Sequence, residues 1–167
     1  MDATCTPADI RYPTDMSILN EARMNAETFI DYLYYNFREH FENKPRDYRE
    51  IAHKSFIAYT KQRKHRRKVR RKALRKQLNY LRRDILLKIS EVDVHRSKKL
   101  LRLVQRHEII KEINSQQEYM YTKKVNRVDN RIVSVSQPHV RPIVRGKAGK
   151  AVEFIEWFQF HRSSVLG

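Results

Sequence analysis

The sequence contains one cysteine, Cys5, and only three glycines, Gly146, Gly149 and Gly167. A single cysteine excludes a disulfide scaffold and any zinc site built from several thiolates. A reducing cytoplasmic or nuclear compartment is its simplest setting. The first 145 residues hold no glycine, so Rossmann and P-loop folds, which need glycine where backbone approaches phosphate, are excluded over most of the chain. A stretch of that kind implies helices joined by short polar turns. No apolar run approaches the roughly 18 residues a bilayer helix requires, and the N-terminus has no apolar segment behind a positive start, as secretory signals do. A membrane is therefore not an expected partner.

Positive charge is abundant instead. The 167 residues include 36 Lys or Arg and 19 Asp or Glu, a net charge of +17. That length suits about one domain with a modest core. Residues 1–50 carry 6 basic and 10 acidic side chains, whereas residues 61–76 (KQRKHRRKVRRKALRK) carry 11 basic and no acidic ones. Residues 131–150 are a second acid-free stretch, with 5 basic residues. Such polarisation points to a polyanionic partner, above all nucleic acid.

The central pattern is helical. Thr14 or Asp15 is a candidate N-cap after Pro13 for a helix reaching about Phe41, with Leu19, Ala22, Ala26, Phe29, Ile30, Leu33 and Phe37 recurring every three or four residues. Asn43-Lys44-Pro45 breaks it, and Asp47 with Glu50 reads as a capping-box variant opening a second helix. Nothing from Asp47 to Ser90 interrupts helix, so one long or gently kinked rod is expected there. Leu74, Leu78, Leu81, Ile85, Ile89 and Val92 form its seam. After a polar turn near Asp93–Ser97, Leu100, Leu103, Val104, Ile110, Ile113 and Met120 predict another helix to about Thr122, antiparallel to the one before it. Arg131–Gln137 alternates and is rich in β-branched residues, so it reads as a strand that Val140–Arg145 extends. Gly146–Lys150 is a basic turn before Ala151–Phe154, and Asp2–Ile10 is extended, with Pro7 and Pro13 opposing helix. The expectation is a mainly α molecule: long helices in a hairpin or bundle, flanked by short β segments.

The cations of Lys61–Lys76, namely Lys61, Arg63, Lys64, Arg66, Arg67, Lys68, Arg70, Arg71, Lys72, Arg75 and Lys76, are the first candidate site. They leave no helix face free of charge, and their mutual repulsion is costly without a counter-anion. A solvated charge run is the plainer reading of short runs, but eleven positives in sixteen residues favour contact with nucleic-acid phosphates. Contact with phosphates carries no sequence information, and no base-reading motif accompanies it. The aromatics from Phe29 to Tyr59 could stack on bases, but a stripe at that spacing is more often core. His107-Glu108-Ile-Ile-Lys111 lacks the second histidine of a zinc protease helix, and Gly146-Lys-Ala-Gly-Lys150 lacks the spacing and hydroxyl of a P-loop. Asp2 beside Thr4 could hold a divalent cation, although on local evidence a solvated terminus is the better reading.

Longer blocks carry a resemblance. The segment Asp2-Ala-Thr-Cys-Thr-Pro-Ala-Asp-Ile-Arg-Tyr-Pro-Thr-Asp15, with Ser17-Ile-Leu-Asn-Glu-Ala-Arg23, resembles the DDE transposases of bacterial insertion sequences. So do Arg75-Lys-Gln-Leu-Asn-Tyr-Leu-Arg-Arg-Asp84 and Arg131-Ile-Val-Ser-Val-Ser-Gln-Pro-His-Val-Arg-Pro-Ile-Val-Arg-Gly-Lys147, continuing to Glu153-Phe154. The resemblance implies a ribonuclease-H-like core in which Asp, Asp and Glu hold two Mg²⁺ ions for DNA strand cleavage and transfer, interrupted by a basic helical insertion. On it, residues 1–13 hold the first core strand, 14–125 the insertion, 126–154 a core β segment and 155–167 a divergent tail. Asp2 takes the place of the first catalytic, metal-binding aspartate. The other two carboxylates would lie beyond Phe154, so a truncated or frameshifted remnant is expected, with bacterial cytoplasm as its setting. Two-metal displacement needs several converging carboxylates, so this polypeptide is expected to cut no DNA alone and to hold Mg²⁺ poorly. DNA binding through the basic run and through Arg141, Arg145 and Lys147 is the retained function, with self-association or missing transposase segments as further partners. The competing reading is a non-catalytic basic helical protein, either nucleic-acid-binding or a coiled-coil interaction module.

Overall fold

The computed structural model describes residues 13–45, 48–85, 97–143 and 153–156. It is mainly helical: α1 (Asp15–Asn36), α2 (Arg49–Thr60), α3 (Arg67–Ile85) and α4 (Lys98–Lys123) are followed by strands β1 (Val140–Ile143) and β2 (Glu153–Glu156). No helix among the described residues is long and apolar enough to cross a membrane.

Thr14 caps α1 as expected. Its hydroxyl accepts from the Ser17 N–H at 3.1 Å while the Ser17 hydroxyl accepts from the Thr14 N–H at 2.8 Å, a capping box built with serine. The helix stops sooner than the predicted Phe41: Phe37 closes it and a 3₁₀ turn, Arg38–His40, follows. The start of α1 packs Met16, Ile18, Leu19, Ala22 and Ala26 against Leu74, Leu78 and Leu81 of α3 and Ile110 and Ile113 of α4. Its end packs Phe29, Leu33 and Phe37 around Leu100. Asn25 Oδ1 meets Arg106, Phe29 lies 5.1 Å from the His107 ring, and Leu33 and Phe37 lie by Leu100, so α1 and α4 run antiparallel. The side-chain aromatics are core in part. Phe29 and Phe37 are buried, Tyr32, Tyr34, Phe41, Tyr48, Phe56 and Tyr59 are half-buried, and Tyr35 is exposed.

The predicted rod is broken. Lys61–Arg66 leaves the helix, and α2 and α3 fold back on each other: Tyr48 lies 6.0 Å from the Tyr80 ring, Gln77 donates to the Ala52 carbonyl at 3.1 Å, and Tyr59 stacks on His65 at 4.0 Å. A continuous helix here would hold like charges at i, i+4 over several turns. The fold-back shortens that run and lets the Ala52 and Phe56 side of α2 cover α3. α2 and α3 thus form an antiparallel hairpin with its turn inside the basic run, and α3 also lies antiparallel to α4 as expected, Arg71 at its start meeting Tyr121 at the end of α4. The α2 cap also differs: Tyr48 precedes the helix with no side-chain cap bond, and Asp47 lies outside the described residues. Nor is α3 charged on every face, because Leu74, Leu78 and Leu81 give it an apolar stripe. Ile89, Val92 and the predicted Asp93–Ser97 turn up to residue 96 fall outside the described residues, while Ser97 caps α4 by accepting from the Lys99 N–H at 3.2 Å.

The segment 131–137 is not a strand of any sheet among the described residues. Ile132, Val133, Ser134 and Val135 are buried one after another, so burial does not follow the alternation of the sequence, and the backbone partner is a side chain. Gln116 of α4 accepts from the Ile132 N–H at 3.0 Å through Oε1, and its Nε2 approaches the Asn130 carbonyl at 3.4 Å. One buried amide thus supplies the donor and the acceptor that a neighbouring strand would offer. The expected extension beyond it does form: β1 pairs antiparallel with β2, Val140 opposite Glu156 and Ile143 opposite Glu153. Turns toward this region use left-handed backbone at Lys124 (φ 58°) and Asn130 (φ 52°), positions where glycine is the usual choice and this sequence has none.

Candidate nucleic-acid interface

Ten of the eleven cations between Lys61 and Lys76 are exposed, and Arg71 is half-buried. Among the described residues only Arg70 forms an ion pair with a carboxylate, reaching Asp15 Oδ2 at 2.8 Å. The remainder project from the α2–α3 turn and the first half of α3 without a neutralising partner.

The cations divide between two faces of α3. Arg67, Arg70 and Arg71 continue, toward the N-terminus, the stripe that becomes Leu74, Leu78 and Leu81. Lys68, Lys72, Arg75 and Lys76 are exposed on other positions of the helix. Arg71 lies against the end of α4: its guanidinium donates to the Tyr121 carbonyl at 3.3 and 3.2 Å and sits 4.3 Å above the Tyr121 ring. That carbonyl belongs to the last turn of α4, where a cation complements the helix dipole. The start of α3 is the opposite case. Its first turn contains no acid and opens with Arg67 and Lys68 beside Arg66, so side-chain charge and helix dipole repel each other there.

Asp15 is the acid within this surface, and it is already occupied. One oxygen takes Arg70 and the other takes Arg131 at 2.6 Å. Tyr59, stacked on His65, has its hydroxyl pKa raised above 10.0, chiefly by burial, against the lowering pull of Arg70 and with a small contribution from Asp15. The phenol is therefore a neutral donor at physiological pH.

A separate set of charges pins α1 to α2. Arg23, 1% exposed, pairs with Glu27, and Asp31 holds Lys44 at 2.9 Å and Arg49 at 3.0 Å. Burial raises the Asp31 pKa, but bonding to Lys44 and Arg49 outweighs it, and the net shift is downward from 3.8. These groups are committed to the fold.

Of the other predicted site residues, Arg141 is half-buried, and its guanidinium donates to the Pro138 carbonyl and, at 3.0 Å, to the Val140 carbonyl. It serves its own turn. Asp2, Arg145 and Lys147 lie outside the described residues. Among the described residues no three His, Cys, Asp or Glu side chains come together that could hold a metal ion.

Sequence reasoning missed Tyr121, Lys124 and Gln117, which the fold sets beside the basic run. Gln117 carried the readable signal, since it occupies a core-facing position in the stripe from Ile110 and Ile113 to Met120. No protein-family profile, curated protein or solved structure matches the chain.

Proposed function

We propose that this protein grips DNA through the phosphate backbone, using the α2–α3 turn and the exposed side of α3. The observation that carries the reading is the set of cations from Lys61 to Lys76, of which, among the described residues, only Arg70 is paired with a carboxylate. Crowding these charges into one turn and the first half of one helix without anions is unfavourable, and a phosphate track relieves both their mutual repulsion and the acid-free positive end of α3. The wider setting we propose is the basic helical part of an insertion-sequence DDE transposase, supported by the sequence blocks quoted above. In that setting Asp2 belongs to the Mg²⁺-binding carboxylates of the recombination core.

A second reading is a basic helical nucleic-acid-binding protein without recombination chemistry. It is favoured by the helical body and by the 131–137 segment, which bonds to Gln116 and pairs with no strand among the described residues. Coding DNA on either side of the reading frame separates the two, because transposase-like sequence there supports the first and its absence supports the second.

The phosphate grip is tested by a salt titration. If about 6–10 phosphates are engaged, affinity falls by about 10³–10⁵ between 50 and 200 mM salt. Reversing the charge of Lys64, Lys68, Lys72 and Arg75, all exposed, is expected to weaken binding to every duplex about equally. A flat salt response, or loss confined to one sequence, removes the proposal. Arg70 and Arg71 are poorer choices for the test because Asp15 and Tyr121 depend on them.

A further inference from the structure

A groove of about 510 Å³ lies between the start of α3 and the end of α4, within the range of small-ligand sites. Leu74, Leu78 and Met120, all buried, give its lining an apolar part, while Arg67, Arg70 and Lys124 give it cations, so that its exposed lining is more polar than apolar. Arg67 and Lys124 have no ion pair among the described residues. Planar groups stand on two sides: the Arg71 guanidinium over Tyr121, and His65 stacked on Tyr59 at 4.0 Å. Gln117 also lines the groove, and it is 4% exposed. Its amide has no hydrogen-bond partner among the described residues. The carboxylate here, Asp15, is taken by Arg70 and Arg131.

A bare phosphate track would use the cations and nothing else. An apolar part, flat stacking partners and an amide that both donates and accepts match a nucleobase, and the cations beside them match its phosphates. A base inside a duplex is stacked and paired, and cannot reach such a recess. We propose that this groove takes one unpaired nucleotide of a DNA strand. The base rests on Leu74, Leu78 and Met120 beside the Arg71–Tyr121 stack, its edge meets the Gln117 amide, and the neighbouring phosphates sit on Arg67 and Lys124. This rests on the DNA-binding reading above and narrows the substrate to DNA carrying an unpaired base.

The test compares the full chain on a fully paired duplex and on the same duplex with a single unpaired 2-aminopurine, at physiological salt. Wild type is expected to bind the second about tenfold more tightly, with a change in 2-aminopurine emission on binding. Gln117→Leu keeps the apolar volume and removes the amide, so it is expected to abolish most of that preference while leaving affinity for paired DNA intact. Should that variant fail to fold, the exposed Lys124→Glu is expected to show the same loss of preference. Equal affinity for both duplexes overturns the groove assignment and leaves the phosphate grip standing. No binding to either duplex overturns the phosphate grip itself. Displacement of the unpaired-base duplex by free dAMP at comparable concentration keeps the groove as a nucleotide site and overturns the DNA strand as its source.

Discussion

The Asp15 carboxylate accepts from the Arg131 guanidinium at 2.6 Å, across 116 residues of sequence, while its second oxygen accepts from Arg70 at 2.8 Å. One acid at the first turn of α1 thus ties that helix to α3 and to the segment after α4. It also holds one arginine of the basic surface in place.

Replacing Asp15 by Asn is expected to separate two effects. Two charge-assisted bonds are weakened, and since the groups are only partly screened from solvent the loss is about 1–2 kcal/mol. Removing a negative charge from the basic surface should at the same time tighten DNA binding at low salt. Urea denaturation and a low-salt titration measure the two; a variant that is destabilised and binds DNA more weakly contradicts this assignment of Asp15.

Lys68→Glu is expected to exchange binding for stability. Lys68 is exposed in the first turn of α3, which contains no acid. A glutamate there complements the dipole and dilutes the cationic cluster, for a gain of about 0.3–1 kcal/mol. DNA affinity should fall because one phosphate contact becomes repulsive. Thermal unfolding with and without DNA would show the apo protein stabilised and the stabilisation by DNA reduced. A loss of apo stability would count against the electrostatic account of this helix end.

His107 makes stability depend on pH. It is 1% exposed beside Phe29, and neither ring nitrogen has a hydrogen-bond partner among the described residues. Burial lowers its pKa below 6.5; Lys111 lowers it further, and Glu108 opposes the shift. The unfolded chain therefore takes up a proton first as pH falls through about 6.5, while the folded chain stays neutral, so stability declines from there and levels off below the folded value. His107→Leu removes this dependence. Its stability relative to wild type should rise between pH 7.5 and pH 5 in urea titrations, and a constant difference would refute the buried neutral imidazole.

Gln116→Leu is expected to loosen the 130–132 backbone. Leucine fills the space but offers nothing to the Ile132 N–H or the Asn130 carbonyl, and a buried unpaired backbone donor costs about 1–3 kcal/mol. Hydrogen exchange at the Ile132 amide reads this directly: wild type should be protected and the variant should not. Equal protection in both would mean the amide is held by something other than Gln116.

The helices were legible because their information is local. Thr14 with Ser17 marks the start of α1, and the spacing of Leu19, Ala22, Ala26 and Phe29 marks its buried side. The basic run was legible as charge. Its shape was not, because whether Lys61–Arg66 continues a helix depends on what covers α3, and the covering residues, Ala52 and Phe56, belong to another element. The strand predicted for Arg131–Gln137 failed for a related reason. The alternation did not become one-sided burial, since Ser134 is buried with Ile132, Val133 and Val135, and it says nothing about whether the backbone partner is a strand or a glutamine amide.

By itself, then, the sequence determined composition-level and periodic properties: a mainly α chain, an apolar stripe on each long helix, and a concentrated block of positive charge. The tertiary structure alone decided where that block bends, that Asp15 would occupy Arg70 and Arg131, and that Gln117, Tyr121 and Lys124 would meet Arg67 and Arg71 across one groove. Charge and period are properties of neighbours along the chain, whereas a groove is made by residues about fifty positions apart that packing of α1, α3 and α4 brings together.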